Sequence, residues 1–164
     1  MRAPQQVSFD ERPSAVPQGL AGRALDVSRQ FNFLLQAFTP RTVFMEVGSA
    51  DGELSLRAAT YVERVWCVDC AGPIARAPCN LRRGGLGGVP LQSVDVAFSE
   101  SSTELESIQQ LLAPGAVHFI FGQLLPALVL REAGFSRVQY YVGNVRVPGA
   151  LARISRHTTT AAYK

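Results

Sequence analysis

TVFMEVGSADGELSL, Thr42 to Leu56, reads as a buried strand, a tight turn and the start of a helix in direct succession. Val43, Phe44 and Met45 lead into an acid, Glu46, and then Gly48 and Gly52 bracket the small pair Ser49-Ala50. A parallel strand that bends sharply into a helix needs residues without bulk at the bend. There the backbone takes unusual φ/ψ values and lets a ligand approach it. The next strand-like run, RVWCVD, ends on Asp69, about twenty residues past the first glycine. A carboxylate at that spacing, on the tip of the second strand, is placed to accept hydrogen bonds from both hydroxyls of a ribose. Together the two features predict a pocket for an adenosine-type ligand.

The details of the turn discriminate among such ligands. A dinucleotide fingerprint, G-x-G-x-x-G/A, needs a small third residue so that helix and strand pack closely. Counting from Gly48, its second position is Ala50 and its third is Glu53, a long charged side chain. A phosphate-cradling loop would need Gly-Lys-Ser/Thr, yet the single lysine of the chain is Lys164.

Glu46-Val-Gly48-Ser49-Ala50-Asp-Gly52 resembles the E/D-x-G-x-G-x-G signature of class I S-adenosylmethionine-dependent methyltransferases, with alanine at the middle glycine. A cationic sulfonium with an amino-acid head suits an acidic turn better than a pyrophosphate does. SVDVAFSE (Ser93 to Glu100) resembles that family's fourth strand, and LLAPGAVHFIFG (Leu111 to Gly122) its L-x-P-G-G turn and fifth strand. REAGFSRVQYYVG (Arg131 to Gly143) resembles the helix end that leads into its sixth strand. The order of these matches covers about two-thirds of the chain.

The resemblance implies an α/β fold: a doubly wound, mostly parallel Rossmann-like sheet with helices on both faces and a C-terminal antiparallel hairpin. It also assigns roles. Gly48, Ser49, Ala50 and Gly52 would form the floor under the methionine part and ribose of S-adenosylmethionine, and Glu46 would orient the turn and attract the ligand's ammonium. Asp69 would hold the ribose and Cys70 would line the adenine slot. Ser99 and Glu100 would lie beside the sulfonium methyl, with Glu100 and His118 as the candidate bases. Methyl transfer relies on proximity and orientation, and a base is needed only when the acceptor must lose a proton.

The chain lacks Asn-Pro-Pro-Tyr after the fourth strand, as well as a cysteine there, which argues against the enzymes that methylate amino groups of nucleic acids or glutamine and against cytosine-C5 enzymes. Gly84 and Gly85 stand where the family usually has an acid for the adenine amino group, and the span from Asp69 to Asp95 is short. The expected activity is therefore transfer to a small-molecule acceptor, the alternative a non-catalytic methyltransferase-like subunit that binds another protein or a second copy of itself.

The rest of the composition agrees with one globular domain. The 164 residues are 47% hydrophobic and 18% charged, with net charge +3. No apolar run is long enough for a membrane span, and the N-terminus has no signal-peptide core, so a cytoplasmic protein is expected. Arg131, Arg137, Arg146, Arg153 and Arg156 are spread over separate elements without interleaved aromatics, so nucleic acid is not the expected partner. Cys67 and Cys70 have C-x-x-C spacing, but residues three apart in a strand face opposite ways. No second pair completes a metal site, and His118 and His157 are distant. Cys67, Cys70 and Cys79 are thus expected to be small buried residues, with no metal bound.

Residues 1–19, with three of the ten prolines, read as an arm. Residues 20–164 read as the domain, opening with an amphipathic helix over 20–38 that Thr39-Pro40 ends. Phe31 and Phe33 on that helix would pack on the sheet or close over the cofactor. Strands are predicted near Val43–Val47, Val65–Asp69, Asn80–Arg82, Val94–Ser99, Ala116–Phe121, Val138–Val142 and Ala150–Ser155. Helices are predicted over about Gly52–Thr60, around Ile74, over Ser102–Leu112 with Ser102 or Thr103 as cap, and over Leu124–Ala133. The last two strands would form the closing hairpin, and HTTTAAYK would be a short tail.

Overall fold

The computed structural model describes residues 18–48, 51–72, 74, 76–101, 103–153, 155 and 158–164, with the first helix's side chains from Asp26 onward. Most of the expected arm, like Ser49, Ala50 and Ser102, lies outside these residues. An eight-stranded sheet forms the frame, in the order β3-β2-β1-β4-β5-β8-β6-β7. Its strands are β1 (Val43–Val47), β2 (Arg64–Val68), β3 (Leu81–Gly84), β4 (Val94–Ser99), β5 (Leu112–Phe121), β6 (Arg137–Val142), β7 (Val145–Val147) and β8 (Thr158–Tyr163). β1 to β5 run parallel, and β8 is antiparallel to both of its neighbours, β5 and β6.

Helices cover both faces. α1 (Gln18–Leu34) and α2 (Glu53–Ala58) share a core with Phe44, Val65, Phe98 and Phe119. α3 (Leu105–Leu111) and α4 (Ala127–Glu132) bury Ile108 and Leu130 against Met45, Leu112 and Ile120. The alternation within β1, where Phe44 faces one layer and Met45 the other, is what a strand buried on both sides requires. Each such side chain contributes about 1.5–3 kcal/mol of burial. Arg57 on α2 donates to Ser28 Oγ and pairs with Glu53, which ties the two helices of the first layer together.

The doubly wound, mostly parallel sheet and the antiparallel C-terminal region agree with the expectation; four local readings do not. First, Ala150–Ser155 is not a strand. Pro148 opens a short helix, α5 (Gly149–Ala152), because its fixed φ of −59° suits a helix start. The hairpin is instead β6-β7, closed through Gly143 (φ +58°) and Asn144. Second, HTTTAAYK is no tail: β8 is an inner strand, with Thr158, Thr159, Thr160, Ala161 and Ala162 all buried. Threonine and alanine carry little hydropathy, yet small and β-branched residues suit a strand pressed between two others and two layers.

Third, no helix forms around Ile74 among the described residues, where prolines and glycines leave loop between β2 and β3. Fourth, Thr103 does not cap α3. Its hydroxyl bonds Ser101 Oγ, and Glu104, at φ +61°, precedes the helix without a side-chain cap. Among the described residues, no helix is long and apolar enough to cross a membrane.

Candidate functional site

The strand order reverses between β1 and β4, and at such a switch point the carboxyl ends of the strands part to leave a crevice. On the β1 side, Glu46 is buried, and its carboxylate accepts hydrogen bonds from the amide and hydroxyl of Ser55 in the first turn of α2. The carboxylate thereby satisfies an amide left without a helical partner and complements the positive end of the helix. Gly48 follows at φ +76°, its amide bonded to the carbonyl of Val68, and a Cβ there would meet nothing within 4 Å. Gly52, at φ +73°, differs: a Cβ would lie 2.6 Å from Ile74 Cδ1 and 3.5 Å from Cys70 Sγ. Gly48 leaves open space, whereas Gly52 makes room for Ile74.

β2 ends at Val68, and Asp69 turns the chain at φ +53°, a left-handed conformation that Asp tolerates better than most residues. Its amide bonds the carbonyl of Gly84. The carboxylate is exposed, without a hydrogen-bond or ion-pair partner among the described residues, and close to Gly85. That turn also brings Cys70 back to the side of the sheet that holds Cys67, against the expectation of opposite faces. Burial, with help from Cys70 and the charge of Glu46, pushes the Cys67 thiol up to about 12, so it is inert. Cys70 is half-buried and Cys79 exposed, so only Cys67 is the buried cysteine expected of all three.

On the β4 side, a cavity of about 690 Å³ opens beneath α1, at the carboxyl ends of β4, β5 and β6 and the start of β8. Of the described site residues read from the sequence, Glu100 lines it and Gly48, Gly52 and Asp69 do not. Glu100 is exposed, and its Oε1 accepts a hydrogen bond of 2.8 Å from Gln30 of α1. Phe33 meets Phe121 edge-on at 5.4 Å, and both rings line the cavity together with Thr159. Thus α1 packs its aromatic residues on the sheet and roofs a cavity at the same time. Nothing local in the sequence marks Gln30, Phe121 or Thr159 as partners, because three distant segments bring them together.

Ser99 and His118 face the opposite layer. Ser99 Oγ donates to the carbonyl of Ser101 and so accepts from His118 Nε2, 2.9 Å away. His118 is fully buried near Phe135, its Nδ1 without a partner, and burial lowers its pKa from 6.5 to about 3. It stays neutral and has no route to the cavity. The sequence alone did not reveal which face of β5 this residue would take.

No family model and no curated protein matches this sequence. Solved structures do match in fold. One is 1,6-didemethyltoxoflavin-N1-methyltransferase of Burkholderia thailandensis with 1,6-didemethyltoxoflavin and S-adenosylhomocysteine bound, at 14% identity, TM-score 0.56 and 99% of both chains covered. A tRNA methyltransferase of Aquifex aeolicus matches at 12% identity and TM-score 0.56, over 94% of this chain and 72% of that one. Precorrin 8W decarboxylase of Methanobacterium thermoautotrophicum matches at 17% identity and TM-score 0.52, over 96% of each. The chain has the class I S-adenosylmethionine-dependent methyltransferase fold.

Proposed function

We propose that this chain binds S-adenosylmethionine across the ends of β1 and β2 and transfers its methyl group to a small molecule held in the cavity beneath α1. The observation that carries this reading is the exposed carboxylate of Asp69, without a partner among the described residues, on the same sheet edge as the open backbone of Gly48. A structural ion pair would have consumed that charge; among the described residues none does, and the carboxylate can accept two hydroxyls. When bound, S-adenosylmethionine supplies a methyl carbon already activated by a sulfonium.

The residues divide the work. Glu46 fixes the start of α2, and with it the direction of the turn. Gly48, Ser49, Ala50 and Gly52 offer backbone under the ligand, and Cys70 lines the adenine side. Glu100, steadied by Gln30, accepts a proton where the acceptor must lose one. No proton transfer is assigned to His118, and Ser99 holds that histidine. The cavity volume lies in the range of small-molecule sites, roughly 300–1,000 Å³.

Calorimetry with S-adenosylmethionine and S-adenosylhomocysteine tests the reading. Micromolar binding that Asp69→Ala weakens by about 2 kcal/mol, the scale of lost charged hydrogen bonds, is the expected result. One observation favours the non-catalytic subunit instead: Ile74 rests over Gly52, on ground a ligand would want. Absence of heat with either ligand decides for that alternative.

A further inference from the structure

The cavity's lining narrows its ligand. Thr159 is 3% exposed and sits in register with Phe121 on β5 and Tyr141 on β6, so aromatic residues flank it on both sides. Its neighbours on β8 use their hydroxyls: Thr158 donates to the carbonyls of Ala152 and Ser155, and Thr160 to that of Gln123. Thr159 lines the cavity, and its hydroxyl has no partner among the described residues. A hydroxyl that borders a cavity bonds to water there, and a ligand carbonyl or ring nitrogen can take over that hydrogen bond. At the β4 side of the cavity, Gln30 holds one oxygen of Glu100, and Oε2 has no partner among the described residues.

The walls and charges exclude other chemistry. Phe33 and Phe121 offer ring surface that suits a flat apolar body better than a flexible chain. Among the described residues of the lining, the charged groups are Asp26, Glu100 and Arg29, a balance that does not favour phosphate-bearing acceptors.

We infer that this cavity takes a planar aromatic or heteroaromatic acceptor bearing a ring O–H or N–H. The ring lies against Phe33 and Phe121, a carbonyl or ring nitrogen accepts from Thr159, and the O–H or N–H donates to Glu100. This specificity rests on the methyl-transfer reading, but its binding step is measured apart from it.

Ligand-detected saturation-transfer NMR and calorimetry on the whole chain, with and without S-adenosylhomocysteine, provide the test. The probes are 4-hydroxybenzaldehyde and xanthine, each flat with an O–H or N–H and a carbonyl; cyclohexanol and putrescine are the controls. The flat probes should bind in at least one condition and the controls at least tenfold more weakly. Thr159→Val should weaken the flat probes about tenfold, the loss of one hydrogen bond, while Thr159→Ser retains them. Unchanged circular dichroism in both variants confines the effect to the site. Controls that bind equally well, no flat-probe binding in either condition, or Thr159→Val within twofold of the parent would overturn the inference. Heat with S-adenosylhomocysteine alongside any of these sinks the acceptor class and spares the methyl-transfer reading. Flat-probe binding without that heat supports the cavity assignment and sinks the reading.

Discussion

The two halves of the sheet's carboxyl edge are built in opposite ways. The β1-β2 half is made by a short span of contiguous chain and works through backbone: left-handed turns at Gly48, Gly52 and Asp69, with a buried acid bracing the helix behind them. The β4-β5-β8-β6 half is made by side chains from α1 and four strands that meet only in the folded molecule. One half is a local conformation and the other a long-range assembly, so the two should respond differently to substitution.

The long-range half should show the largest effect. Phe33 packs edge-on against Phe119, Phe121 and Tyr141 at 5.1–5.4 Å, so Phe33→Ala leaves a cavity beneath the whole roof. A loss of about 3–5 kcal/mol is expected in urea unfolding. A loss under about 1 kcal/mol would mean that α1 is dispensable to the assembly.

The local half contains its own contrast. Gly52→Ala meets Ile74 and adopts a strained φ, and should cost about 2–4 kcal/mol; Gly48→Ala carries the strain alone, about 1–2 kcal/mol. Equal costs would indicate that Ile74 moves aside freely, which would also weaken the case for the non-catalytic subunit.

His118 gives a smaller, pH-dependent effect. Its pKa is about 3 when folded against 6.5 ordinarily, so it contributes no pH dependence above pH 6.5. As pH falls from 6.5 towards 3, the unfolded chain takes up a proton that the folded one refuses, and stability drops by roughly 1.4 kcal/mol per pH unit. Between pH 6.5 and 5 the parent should therefore lose about 2 kcal/mol more than His118→Gln. Parallel profiles would show that the ring reaches water.

Asp69→Asn should do least to the fold, within about 0.5 kcal/mol, because the carboxylate is exposed and has no partner among the described residues. A large destabilisation would mean that its charge serves the turn rather than a ligand.

How much could be read in advance follows the same division. β1, β2 and the glycine turn were legible because an apolar run, small residues and one acid at a set spacing leave the chain few alternatives. The β8 strand was not, since TTTAAY looks polar until its position between β5 and β6 is known. Glu100 could be named from its place after β4, but neither its partner Gln30, seventy positions away, nor the cavity it borders could. Ser99 and His118 were grouped with the site by order alone, while strand alternation sends both to the other face.

By itself the sequence determined that a βα turn with a carboxylate on the following strand would form, because φ preferences and hydrophobic periodicity act over a few residues. Only the tertiary structure decided which side chains share the cavity, that Thr159 has no partner among the described residues, and that Ile74 takes the room Gly52 provides. Those outcomes depend on which strands become neighbours and which way each side chain points, and both are settled only when the whole sheet closes its two cores.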